Sequence, residues 1–286
     1  MTTPHFNEIL RDLAPTLDGV LFYGDPHSKW VPLLDAVADN APHSVIILGD
    51  LIENKNDTQA FADTRAALNS MLDAGIDVRI ISGNHDVDSD AVYDLVFHEF
   101  GHLVFDGDII TVGPHNLRIA GLGGVFKGKV WYPQTSDNAV YYSPDDLLAD
   151  TPKSSRFLGG IPRRQRVAIF PSVVDQLSQQ SADVLVTHEA PSTHVSGFSV
   201  IDDLAVSMGA KLIVYGHHHT VAETCLSAQP IAVRGMGQAE VWNSESEEIR
   251  GLILLLKFHA LTTKGFHFEL ERTPPNHRYR SQPVAS

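Results

Sequence analysis

The stretch from Val78 to Asp86, Val-Arg-Ile-Ile-Ser-Gly-Asn-His-Asp, sets an apolar, β-branched run directly against three polar side chains. The run has the composition of a buried strand, and Gly83 permits the sharp turn that ends it. Asn84, His85 and Asp86 then stand at the carboxyl end of a strand, where open α/β sheets place ligands. Alone, the stretch reads equally well as a strand and an ordinary polar turn, because Gly, Asn and Asp favour turns. Its recurrence removes that symmetry, since four further apolar runs end the same way.

Taken in order, Gly19 to Tyr23 runs into Gly24-Asp25-Pro26-His27, and Ser44 to Leu48 into Gly49-Asp50, with Glu53 three residues on. Asp183 to Thr187 ends at His188, and Lys211 to Tyr215 ends in Gly216-His217-His218-His219. In an extended chain, residues two apart share a side. Asp25 with His27, and His217 with His219, are thereby expected to face one way, with His218 turned away. Between the strands, helices are expected over 30–39, 57–74, 89–100, 168–179 and 200–208. The helix over 57–74 has an apolar stripe through Phe61, Leu68, Met71 and Leu72, and Gly75 stops it. Strand character returns at 103–105, 109–112, 116–120, 221–226, 231–234, 251–258 and 266–270. The glycines at 121, 123 and 124 lack the Lys-Ser/Thr pair of a phosphate loop and suit close backbone packing.

The potential ligands are Asp25, His27, Asp50, Asn84, His188, His217 and His219. All are oxygen or imidazole donors, a mixture suited to Mn²⁺, Fe²⁺/Fe³⁺ or Zn²⁺ and too rich in nitrogen for Ca²⁺. Seven ligands are too many for one catalytic ion with an open position. Two ions about 3.5–4 Å apart, sharing a carboxylate, account for them.

This set resembles the five ordered motifs of the calcineurin-like metallophosphoesterases, over about residues 20–220. The resemblance implies two β-sheets packed face to face, an α/β sandwich flanked by helices, with a binuclear site at the strand ends. It implies that Asp25, His27 and His219 hold one ion, that Asn84, His188 and His217 hold the other, and that Asp50 bridges. It makes His85 the catalytic histidine beside the leaving group. The implied reaction is hydrolysis of phosphate mono- or diesters by a hydroxide shared between the ions. Glu53 stands where the family commonly has Asp, and is expected, with Asp86, to support the site from behind, Glu53 orienting His85.

A competing pattern is His98-Glu99-Phe100-Gly101-His102, which matches the H-E-x-x-H of zinc proteases. That motif needs both histidines on one helical face. Gly101 and the apolar run at 103–105 indicate that the helix ends too early for it. A non-catalytic scaffold is the other alternative, and the complete ligand set, His85 included, weighs against it.

Composition narrows the setting. The chain has 286 residues and 43% hydrophobic content, enough for one large α/β domain, here taken as residues 1–272. A net charge of −14 argues against a broad nucleic-acid surface, though not against a small phosphorylated substrate such as a nucleotide. One cysteine excludes an internal disulfide and suits a cytoplasmic protein. There is no signal peptide pattern at the start and no apolar run long enough for a membrane span. Periodicity is lost over 125–166, an aromatic and basic segment expected to form a lid or rim, with Arg163, Arg164 and Asn84 as candidate substrate contacts. The Pro- and Arg-rich tail, 273–286, is expected to be disordered. Nothing in the sequence fixes an oligomeric state.

Overall fold

The N-terminal third is built of alternating helix and strand: α1 (Phe6–Leu17), β1 (Val20–Gly24), α2 (Val31–Asn40), β2 (Ser44–Ile47), α3 (Thr58–Asp73) and β3 (Asp77–Ile80). Asp57 caps α3, its carboxylate accepting from Gln59 N and Ala60 N, a contact typically worth about 1 kcal/mol. A short α4 (Asp90–Tyr93) leads to the hairpin β4 (Ile109–Val112) and β5 (Leu117–Leu122). Then come α5 (Pro144–Asp150), α6 (Pro171–Ser178), β6 (Val184–Thr187), α7 (Ser199–Met208), β7 (Leu212–Tyr215), β8 (Ala222–Cys225), β9 (Ala232–Gly235) and β10 (Glu240–Trp242). This computed structural model describes residues 5–136 and 138–244. The strands expected at 251–258 and 266–270, and the tail from 273, lie outside the described residues.

The strands form two mixed sheets, as the resemblance implied. One has the order β10-β1-β2-β3, with β10 alone antiparallel. The other has the order β4-β5-β6-β7-β9-β8, parallel at its centre and antiparallel at both edges. Strand alternation explains why both faces are apolar. Val20 and Phe22 of β1, with Ile46 of β2, pack between the sheets against Val184, Val186, Leu212 and Val214. Leu21, Tyr23, Val45 and Ile47 point the other way, under α2 and α3. On the far side, Leu185, Ile213 and Tyr215 lie under α6 and α7.

Three local expectations are corrected. The helix expected over 89–100 is regular only over Asp90–Tyr93. It widens to a π-type turn over Asp94–Glu99, with Phe100 N bonded to Leu95 O, while Val92, Leu95, Val96 and Phe100 are buried. The strand expected at 103–105 is a 3-10 turn, Gly101–Leu103, followed by a single bridge from Val104 to Ile80. The segment 125–166 contains α5 and two 3-10 turns, and part of its apolar content faces inward while Val140, Tyr142 and Leu158 stay exposed. Phe126, Val130, Trp131, Leu147 and Ile161 join the core over the larger sheet, so packing explains that part of its apolar content. Among the described residues, no helix is long and apolar enough to cross a membrane.

Candidate metal centre

The loops after β1, β2, β3, β6 and β7 meet at one edge of the sandwich. They bring two sets of donors together, Asp25, His27 and His219 in one, Asp50, His188 and His217 in the other, each within 4.8 Å. Asn84 Oδ1 lies 3.1 Å from His188 Nε2, which is also 3.3 Å from Asp50 Oδ2. Asp50 Oδ2 is 3.9 Å from His27 Nε2, so its carboxylate reaches toward both sets. The seven expected ligands therefore converge.

They do so by a route that strand alternation does not describe. Asp25, His27, Asp50, His217 and His219 all have positive φ, between 40° and 66°. The segments are left-handed turns, and such backbone strain collects at functional sites. Hence His217 and His219 do not share a side: each joins a different set. His218 does turn away, and stacks on His194 with ring centroids 3.9 Å apart.

Buried hydrogen bonds lock these turns. The Asp86 carboxylate is enclosed and accepts from Asp50 N, Leu51 N and Gly83 N, tying the turn after β2 to the turn after β3. Asp25 accepts from His217 N, and Asp50 from His85 N. His188 Nδ1 is 2.7 Å from Leu48 O, so it donates there and leaves Nε2 free for the site. Gly83 is a cradle: a Cβ there would sit 2.2 Å from Asp50 Oδ1 and 2.6 Å from His188 Cε1. At Gly123 a Cβ would sit 1.8 Å from Asp106 Oδ1, in keeping with close packing as the role of that glycine run.

The electrostatics fit divalent cations. Burial, reinforced by the His188 charge, lowers His217 to about 3, and burial also lowers His27 and His219. These imidazoles are neutral near pH 7, the form that binds metal. Burial opposes a charge on His188, but Asp50 and Asp25 outweigh it and raise the group to about 10. Burial raises Asp25 to about 7, although His188 pulls it down. Burial works against an ionised Asp50, yet His188 holds it well below the usual carboxylate range. A proton on His188 thus balances buried carboxylates, a task a cation can take over. His27 Nε2 and His219 Nε2 converge to 3.1 Å, and the buried His27 Nδ1 has no aligned hydrogen bond.

His85 stands beside the first set, its ring centroid 5.6 Å from that of His27. It is half-exposed, with Nδ1 2.8 Å from Asp88 Oδ2. Burial would lower its pKa, but Asp88 and Asp50 raise it overall. The partner expected for His85, Glu53, is instead 2.8 Å from His27 Nδ1, where its longer side chain reaches. Asp88 was missed by the sequence reasoning, and its only signal was a carboxylate three residues from His85. Asp106, bonded to Ser82 N and Oγ at the root of the same turn, was missed because it is distant in sequence.

Arg163 and Arg164 lie outside both donor sets. Arg163 bonds Asp90 Oδ1 at 2.6 Å and Asp88 O at 3.4 Å, beside the turn that carries His85. Arg164 is exposed. The H-E-x-x-H residues serve elsewhere: His98 pairs with Asp94 at 2.9 Å, Glu99 with Arg65 at 2.8 Å, and His102 lies past the end of the π-type turn.

A search against protein families matches residues 19–221 to the calcineurin-like phosphoesterases. An uncharacterised protein of Haemophilus influenzae is 35% identical over 201 residues, 70% of this chain and 83% of that one. Among solved structures, a dimetal phosphatase from Danio rerio is 15% identical, with 77% of this chain and 88% of that one covered and a TM-score of 0.48. The protein TT1561 of Thermus thermophilus is 12% identical, with coverages of 79% and 98% and a TM-score of 0.46. On the extent of the family match and the identity to the Haemophilus protein, this chain belongs to the calcineurin-like phosphoesterase family.

Proposed function

We propose that the protein is a binuclear metal-dependent hydrolase of phosphate mono- or diesters. The observation that carries this reading is the pair of adjoining Asp/His sets with the Asp50 carboxylate between them. Asp25, His27 and His219 would hold one ion, Asn84, His188 and His217 the other, and Asp50 both. Bound Mn²⁺, Fe²⁺/Fe³⁺ or Zn²⁺ would supply a hydroxide nucleophile near neutral pH and offset phosphate charge.

The chain's own residues would support that chemistry. Asp86 and Gly83 hold Asp50 in place through backbone hydrogen bonds and close packing. Glu53 braces His27. With Nδ1 on Asp88, His85 keeps Nε2 available to pass a proton to a departing oxygen, a role typically contributing about 10²–10⁴-fold. His85 and Asp88 also line a cleft of about 430 Å³ with Asn54, Lys55 and Asn56. That polar wall favours a hydroxylated leaving group over an apolar one. A small phosphorylated molecule, with nucleotides included, fits these features, and the single cysteine favours a reducing compartment such as the cytoplasm.

The test is metal analysis of the purified protein together with turnover of p-nitrophenyl phosphate and bis(p-nitrophenyl) phosphate. Two equivalents of metal and chelator-sensitive hydrolysis of either ester are expected. Absence of both activities in fully metal-loaded protein would overturn the reading.

A further inference from the structure

A second cavity, of about 690 Å³, lies within the 125–166 segment and is bounded by Lys129, Tyr141, Leu147, Arg163, Arg164 and Gln165, among others. Its size is within the roughly 300–1,000 Å³ of small-molecule sites. The formal charge of the chain is −14, yet three cationic side chains and, among the described residues, no acidic one line this space. Like charges gathered in one concavity raise the local concentration of counter-charged ligands. Arg163 is held by Asp90. Lys129 and Arg164 are exposed and, among the described residues, have no ion-pair partner. The adjacent Lys127, lowered to about 8 by burial and then by the Arg164 charge, marks the same crowding of cations.

Two further features point to a planar ligand with hydrogen-bond donors. Tyr141 offers a ring whose hydroxyl is fixed by Asp150 at 3.0 Å. Gln165 Oε1 is buried with no hydrogen-bond partner, and a buried acceptor left unpaired is costly. A ligand N–H would satisfy it.

We propose that this cavity binds a nucleotide, with its phosphate against Lys129 and Arg164, its base against Tyr141, and an N–H of the base on Gln165 Oε1. The proposal goes beyond the phosphoesterase reading and does not depend on it. Cation–phosphate contacts supply the affinity, and the ring and amide make a bare sugar phosphate a poor substitute.

The experiment is calorimetric titration of the full-length protein with AMP, both metal-loaded and as the Asp50→Asn variant, which removes the proposed bridging ligand of the metal centre. One equivalent of AMP should bind to the Asp50→Asn protein. Adenosine and ribose 5-phosphate should each bind at least about tenfold more weakly, each lacking one half of the recognition. Lys129→Glu/Arg164→Glu should weaken AMP by at least about tenfold, and raised salt should weaken it in the parent protein. Gln165→Leu should weaken AMP and leave ribose 5-phosphate unchanged. Circular dichroism and metal content would confirm that both variants are folded. Loss of AMP binding in the folded Asp50→Asn protein would place the nucleotide at the metal centre and overturn the proposal. So would AMP affinity unchanged in both variants, or no binding at millimolar AMP. Turnover of p-nitrophenyl phosphate by the same preparation tests the phosphoesterase reading separately.

Discussion

Replacing Gly83 with Ala probes how tightly the metal centre is built. The added Cβ would lie 2.2 Å from Asp50 Oδ1, 2.7 Å from Asp50 Cγ and 2.6 Å from His188 Cε1. Neither side chain can retreat easily. Asp50 is held by the amide of His85 at 2.8 Å, and His188 by the carbonyl of Leu48 at 2.7 Å; both are buried. Gly83 has no positive φ, so the perturbation is steric and not conformational. Overpacking by one methyl typically costs about 1–3 kcal/mol, which converts to roughly 5- to 150-fold in an equilibrium constant. Because the clash falls on the Asp50 carboxylate and the second donor set, that loss should appear in metal affinity. Gly83→Ala is therefore expected to bind metal about 5- to 150-fold more weakly in competition with a chelator, and to lose turnover in step. Gly128→Ala is the control: its Cβ would meet nothing within 4 Å, and metal affinity should be unchanged. A Gly83→Ala protein with normal affinity for two ions would refute the assignment of Asp50 and His188 to the site.

Other outcomes follow from the same geometry. Asp50→Asn should reduce metal content and activity together, measured by elemental analysis and ester turnover; two retained equivalents with normal turnover would remove Asp50 from the bridge. His85→Ala should keep both metals and lose at least about 10²-fold with a simple alkyl phosphate ester, and less with p-nitrophenyl esters, whose leaving group departs unprotonated; equal losses would point to positioning instead. His102→Ala should change neither metal content nor turnover, and loss of one metal equivalent from a folded variant would revive the H-E-x-x-H pattern. If His188 is a ligand, metal binding displaces the proton it holds up to about 10, so affinity should rise by about tenfold per pH unit between pH 7.5 and 9, and more steeply below pH 7, where Asp25, raised to about 7, also gives up a proton. A pH-independent affinity in chelator competition would remove His188 from the ligand set.

The convergence of the candidate ligands was legible in the sequence because each ends an apolar strand, and strand ends are where a sandwich of this kind gathers its loops. The geometry joining them was not legible. Period-two alternation placed His217 and His219 together, whereas left-handed turns at both residues send them to different sets. Such turns leave little sequence signal when Asp and His occupy them instead of Gly. The exchange of Glu53 for Asp88 beside His85 also escaped, since pairing across a turn depends on side-chain reach. Among the elements, β10 is three residues long and depends on pairing with β1. Helix α1 carries a stripe, Phe6, Ile9, Leu10, Leu13 and Leu17, but Pro15 inside it and the short polar lead-in obscure its helical period. Segment 125–166 hid its order because α5 and the turns around it bury scattered single residues without a period.

The meeting of His27 with His219 has a consequence for the unfolded chain. The two residues are 192 positions apart, and the rings approach to 3.1 Å. An ion held between them would act as a reversible cross-link closing a loop of that length. The chain has one cysteine and so cannot form an internal covalent cross-link. In the chain-entropy model, closing a loop of this size removes about 5 kcal/mol of freedom from the denatured ensemble, if the linkage survives there. Where unfolding releases the ion, the same linkage enters as binding energy that must first be given up. Either way, the ends of β1 and β7 would part only after the metal does. Chelation should therefore lower the melting temperature of the sandwich even though the apolar core between its sheets is untouched.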